Sequence, residues 1–187
     1  PDACQPVLQA LVTEALVSPD ETWQRIRRLM ENKRLTGARQ AASLLPMEQA
    51  IASSDLDKAT TNPSTYLDRL PVNFSATRQG RELALISLAR LARDDPQGAY
   101  MRYARMDERF SATERSYALG QIAWQAATKL LPEANAWYKA AGETPMSDEQ
   151  HAWKVRAALR AGDWKSVRLA VEAMPPALRE QPDWAYW

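Results

Sequence analysis

The sequence predicts an all-α fold, an α-solenoid or superhelix of antiparallel helix pairs, on three observations. The first is an internal repeat. Residues 25–46, RIRRLMENKRLTGARQAASLLP, align without a gap on residues 154–175, KVRAALRAGDWKSVRLAVEAMP. Trp23, Ile26 and Met30 fall opposite Ala152, Val155 and Leu159, and Leu35, Ala38, Ala42 and Leu45 opposite Trp164, Val167, Val171 and Met174. Apolar type persists although most letters differ, and the offset of 129 residues is about four units of a helix-pair repeat. The second is a recurring capping box, Ser followed three residues later by Glu or Gln, at Ser18, Ser111 and Ser147. The third is composition. Six Gly and two Phe among 187 residues, with abundant Ala, Leu, Arg and Gln, favour helices over sheets.

Taken in order, residues 6–17 predict a first helix with Leu8, Leu11, Val12 and Ala15 on one side. Ser18 caps the next, with Pro19 at its first position and Glu21 closing the box. Residues 36–45 pair back on it. From 47 to 74 the pattern weakens, leaving short helices at 47–53 and 63–70, the second begun by Asn62-Pro63. A longer helix runs from Ser75 to about Arg93, and Asp95-Pro96 opens its partner over 96–107. After Ser111, residues Leu119, Ile122, Ala123, Ala126 and Leu130 keep an i, i+3, i+4, i+7, i+11 face. Pro132 opens a short partner over 133–141, stopped by Gly142. Ser147 starts the next helix, which Gly162 ends; Asp163 caps its partner, and Pro175-Pro176 ends that.

Nothing reads as a linker, so residues 1–187 are expected to form one helical domain. Charge is balanced at +1, with 24 basic and 23 acidic side chains interspersed, which argues against nucleic acid as a partner. No run of 18 apolar residues exists, so no membrane span is expected. The start carries no basic stretch followed by an apolar one, so a signal peptide is absent or removed. The single cysteine, Cys4, has no partner within the chain for a disulfide. Trp184, Tyr186 and Trp187 stand on a helix that has hardly begun. The polypeptide is therefore expected to continue, the chain being a fragment.

Catalytic chemistry finds little support. One His and one Cys do not make a zinc site, and His151 is expected to be a solvated imidazole in a first helical turn. There is no Gly-x-Ser-x-Gly setting and no phosphate-binding glycine loop. The paired carboxylates Asp55/Asp57, Asp94/Asp95 and Asp148/Glu149 read as caps or solvated charges. No catalytic residue, metal ligand or cofactor is assigned. The one candidate ligand stripe is Arg102, Arg105 and Arg109 in YMRYARMDERF, facing an anionic or sugar ligand beside Tyr100 and Tyr103. Of the seven Trp, Trp23 and Trp164 take repeat-core positions, and Trp124 and Trp137 are the candidate exposed stacking platforms.

CQPVLQALV, LARLARDDPQGA, WKVRAALRAGDW and the terminal MP…DWAYW, in that order, resemble the superhelical part of periplasmic soluble lytic murein transglycosylases. The resemblance implies a ring-forming array of helix pairs ahead of a separate lysozyme-like catalytic domain. That domain cleaves between N-acetylmuramic acid and N-acetylglucosamine and leaves a 1,6-anhydro ring, without a metal. The family's catalytic Glu stands in a Glu-Ser pair. No such pair occurs here, so no catalytic position carries over and the chain alone is expected to be inactive. Cys4 is similar in position to the second of a family cysteine pair, implying an upstream partner and an oxidising, periplasmic setting. The implied partners are peptidoglycan glycan strands and the chain's own catalytic domain. The competing reading is a stand-alone tetratricopeptide-like adaptor for a protein or peptide, suggested by Leu119-Gly120 and ANAWYKAA, although the 34-residue spacing of that repeat does not persist.

Overall fold

The computed structural model describes residues 16–185 and, before them, residues 7, 10, 11 and 14. Cys4, Tyr186 and Trp187 lie outside the described residues, as do Leu8, Val12 and Ala15 of the helix expected over 6–17. Every regular element among the described residues is helical, as the sequence leads one to expect. The chain divides into two compact units, residues 1–90 and 91–187.

In the first unit, α1 (Pro19–Glu31) begins in the expected capping box. The Ser18 hydroxyl accepts from the Glu21 N–H at 3.2 Å, and the Glu21 carboxylate accepts from the Ser18 N–H at 2.8 Å. The helix buries Thr22, Trp23 and Ile26 against α2 (Leu35–Ala42), whose inner face is Ala38, Ala41 and Ala42. Two helices add to the same core: α3 (Ser53–Thr61) through Leu56 and Ala59, and α5 (Arg78–Asp94) through Leu83 and Ile86. Between them lies the short α4 (Pro63–Asp68).

The structure differs from the sequence expectation at three places here. The helix expected over 47–53 is only a 3-10 turn, Met47–Gln49. Helix α3 falls where no helix was expected, because SSDLDKATT has weak propensity and no side-chain cap. It is held by Leu56 and Ala59, both fully buried, so tertiary packing overrides local preference. The long helix starts at Arg78 rather than Ser75, since Thr77 is the residue whose hydroxyl accepts from the Gly80 N–H. A Cβ at Gly80 would lie 2.0 Å from the Phe74 carbonyl oxygen, so only glycine fits that first turn.

The second unit holds α6 (Pro96–Tyr103), α7 (Ala112–Thr128), α8 (Ala134–Ala141), α9 (Asp148–Arg160), α10 (Trp164–Glu172) and two single turns, α11 (Pro176–Arg179) and α12 (Pro182–Ala185). Capping boxes at Ser111 and Ser147 form as expected. Asp163 caps α10, accepting from the Ser166 N–H at 3.1 Å. Hydrogen bonds from Ser166, Lys139 and Asn135 hold its carboxyl well below the usual carboxylate range. That stabilisation is present above the ordinary carboxylate pKa and is lost as pH falls through the lowered one.

The repeat seen in the letters is a repeat in space. Shifted by 129 residues, both bounds of α1 coincide with those of α9, and the start of α2 with that of α10. The capping boxes coincide too, Ser18 with Ser147 and Glu21 with Gln150. One core holds Trp23, Ile26, Ala38, Ala41, Ala42 and Leu45; the other holds Ala152, Val155, Val167, Ala170, Val171 and Met174 at the same six places. The pairing fails at one position. Leu35 is half-buried, but its counterpart Trp164 is 64 % exposed, so Trp164 is not the core residue the repeat predicted.

The turn between the paired helices is also shared. Lys33 and Gly162 occupy the left-handed region at φ 58° and 64°. The next N–H reaches back five residues in both, Arg34 to the Leu29 carbonyl at 2.8 Å and Asp163 to that of Ala158 at 3.1 Å. This is the Schellman arrangement. The junction after α7 uses it again, with Leu130 at φ 59° and the Leu131 N–H on the Ala126 carbonyl at 2.9 Å. Glycine adopts this conformation freely, whereas a side chain there costs about 1 kcal/mol. Lys33→Gly is thus expected to stabilise the first unit by about 0.5–1 kcal/mol, read as a rise in the urea midpoint at unchanged slope.

Candidate functional site

Helix α1 has two faces. The inner one carries Thr22, Trp23 and Ile26; the outer one carries Glu21, Arg25, Arg28 and Asn32, at spacing i, i+4, i+7, i+11. That spacing places the four along one stripe of about 16 Å. The left-handed turn at Lys33 then folds the chain back, and Arg34 joins the same surface. Together with Gln24 and Leu29 these residues line a groove of about 830 Å³.

Three arginines of the unit meet acids: Arg27 donates to Glu82 at 2.7 Å, Arg39 to Asp57, and Arg78 to Asp20. Arg25, Arg28 and Arg34 have no side-chain partner among the described residues. Glu21 stands four residues before Arg25, a spacing that would suit an ion pair. Its carboxylate is turned instead to the Ser18 N–H and hydroxyl, both at 2.8 Å. Those two hydrogen bonds, the backbone one foremost, lower its pKa and keep it an anion at the groove's N-terminal end. Three cations against one anion leave the groove at about +2. The helix dipole accounts for a cation in the last turn, such as Arg28, but not for Arg25 a turn earlier.

Comparison with the second copy shows that this face is not built for close packing. At the places of Arg25, Arg28, Leu29, Asn32 and Arg34, α9 and its turn carry Lys154, Ala157, Ala158, Ala161 and Asp163. Ala157 and Ala158 are buried, Ala158 in the core shared with α10, and α9 also contacts α7 and α8. Small side chains suit a neighbouring helix; three guanidinium groups suit a solvated anion. The stripe of 21, 25, 28 and 32 is legible in the sequence as a polar helical face, a signal that matching the two copies by their apolar positions passes over.

The expected arginine stripe is not one helical face. Helix α6 ends at Tyr103, not 107; Arg102 lies in its last turn and donates to the Gly98 carbonyl at 3.2 Å. Arg105 follows in an exposed turn, and Arg109 closes a short 3-10 turn over 107–109. Trp137 is not a stacking platform for ligand: it is 8 % exposed and stacks on Tyr100, with ring centroids 4.5 Å apart. Trp124 is half-buried, its indole N–H enclosed. His151 is buried rather than solvated, and burial, then the Lys154 charge, push its pKa down. A second cavity of about 310 Å³ lies in the first unit between Lys58, Asn62, Tyr66 and Arg69. Its Lys58 is already paired with Asp55 at 3.2 Å.

Among the described residues no group of three His, Cys, Asp or Glu is placed to hold a metal ion, and no helix is long and apolar enough to cross a membrane. No protein-family model matches the sequence, and no curated protein does. Solved structures do match. One is an inactive mutant of lytic transglycosylase Slt from Pseudomonas aeruginosa, at 22% identity and a TM-score of 0.67. Another is the 70-kDa soluble lytic transglycosylase in complex with bulgecin A, at 22% identity and a TM-score of 0.55. The whole chain is covered in both alignments, against 30% and 31% of those proteins. At that identity the likeness is one of fold: the chain shares a helical architecture found in lytic transglycosylases and spans about a third of their length.

Proposed function

We propose that the chain is a helical scaffold portion of a periplasmic lytic transglycosylase, supporting a separate catalytic domain and holding peptidoglycan glycan strands near it. The observation that carries this reading is the alignment of the whole chain on two such enzymes. The absence of any Glu-Ser pair from the sequence supports a non-catalytic role. In this reading the cleavage of the N-acetylmuramic acid–N-acetylglucosamine bond, with its 1,6-anhydro product, belongs to the other domain. The chain's contribution is to bind and orient, and the groove on α1 is where its unpaired charge is available for that.

The test is direct. Isolated chain incubated with purified peptidoglycan is expected to sediment with it and to release no anhydromuropeptides. Because the attraction is between exposed charges, the bound fraction should fall steeply as salt is raised from about 0.05 to 0.5 M, where the screening length drops below about 5 Å. Release of anhydro products would overturn the scaffold reading, and failure to sediment at low salt would favour the peptide-binding adaptor.

A further inference from the structure

We infer that the groove on α1 recognises carboxylates and not sugar rings, its occupant being an acidic peptide with at least two carboxylates. This rests on the proposed role in one respect only, that the acidic peptide is the one carried by peptidoglycan strands. Carbohydrate rings are gripped by aromatic faces, whose apolar surface matches the C–H side of a pyranose. The groove has none: it is lined by Glu21, Gln24, Arg25, Arg28, Leu29, Asn32 and Arg34.

What it offers is hydrogen-bond donors on cations. A guanidinium presents paired N–H groups that fit the two oxygens of a carboxylate. The Asn32 amide is already spent on the Arg28 carbonyl at 2.8 Å, which leaves the guanidinium groups as the principal donors. Glu21, fixed as an anion by its cap, repels a ligand carboxylate from the N-terminal end. The favoured positions are therefore at Arg28 and Arg34, where the left-handed turn at Lys33 returns the chain to the helix. Arg25 lies one turn back along α1, about 4.5 Å by helical rise from Arg28, and serves a second carboxylate of an extended ligand. A duplex nucleic acid fits poorly, since two net charges give a weak phosphate interaction.

The experiment uses the whole chain and four probes: peptide-bearing glycan fragments, the same fragments with every carboxyl group converted to the neutral amide, a neutral N-acetylglucosamine oligomer, and inorganic polyphosphate. Titration calorimetry is expected to show binding of the first alone. The chain carrying Arg25→Gln, Arg28→Gln and Arg34→Gln, with unchanged helical circular dichroism, should bind it at least about tenfold more weakly. A free acidic peptide should bind the unaltered chain, and its fully amidated form should not. Equal binding of the amidated fragments or the neutral oligomer would overturn the inference while leaving the proposed function standing. So would undiminished binding by the substituted chain. Binding of the free acidic peptide but of no peptidoglycan fragment would uphold the carboxylate assignment and overturn the proposed function. Polyphosphate binding as tightly as the peptide would overturn the peptide assignment.

Discussion

Trp23→Ala is expected to cost the first unit about 4 kcal/mol, the middle of the range for truncating a buried aromatic. Trp23 is fully buried, and its ring is the largest side chain in a core otherwise made of Ile26, Leu45, Leu56, Leu83, Ile86 and small alanines. Those alanines are too short to reach into the space, which leaves a cavity. The indole N–H also donates to the Gln49 side chain at 2.9 Å, which ties the segment after α2 to the core. Thermal unfolding followed by circular dichroism should show a midpoint roughly 10 °C lower for a chain of this size. A drop under about 1 kcal/mol would place Trp23 outside the core. The second copy has Ala152 at this position; its core is filled instead by Val155, Val167, Val171 and Met174, where the first has Ile26, Ala38, Ala42 and Leu45.

Arg27→Leu is expected to cost about 3 kcal/mol, and Arg27→Leu combined with Glu82→Leu markedly less. Glu82 is 1 % exposed, and its carboxylate accepts from Arg27 at 2.7 Å, with Arg78 at 3.5 Å on the other oxygen. Removing Arg27 leaves a buried anion with one distant cation, whereas removing both partners leaves an apolar site. The coupling from the double-mutant cycle should exceed about 1 kcal/mol. Additive effects in that cycle would mean that the pair is solvated and contributes little.

The fold was legible because its signals are local and doubled. Ser18, Ser111 and Ser147 announce helix starts through their own side chains and the Glu or Gln three residues on, and each box forms. The apolar register of α1 and α2 could be checked against α9 and α10. Helix α3 was not legible, because Leu56 and Ala59 gain their burial from residues far away in sequence. Trp164 and Trp137 exchanged roles for a similar reason. Position within a repeat gives the direction of a side chain, but the neighbour that covers it is another element, and only for Trp137 is Tyr100 there to do so. The groove illustrates the limit most clearly. Its residues were in view as letters of a repeat, yet the acid spaced to pair with Arg25, Glu21, is engaged by Ser18 instead. Sequence spacing does not say which partner a carboxylate chooses.

The bends after α1, α7 and α9 place lysine, leucine and glycine at one backbone geometry. A pattern that looks for glycine as the mark of a hairpin would count a single unit here, while the main chain builds three. Ancestry in such arrays is therefore better traced through torsion angles and back-reaching amides than through the alphabet of the loop.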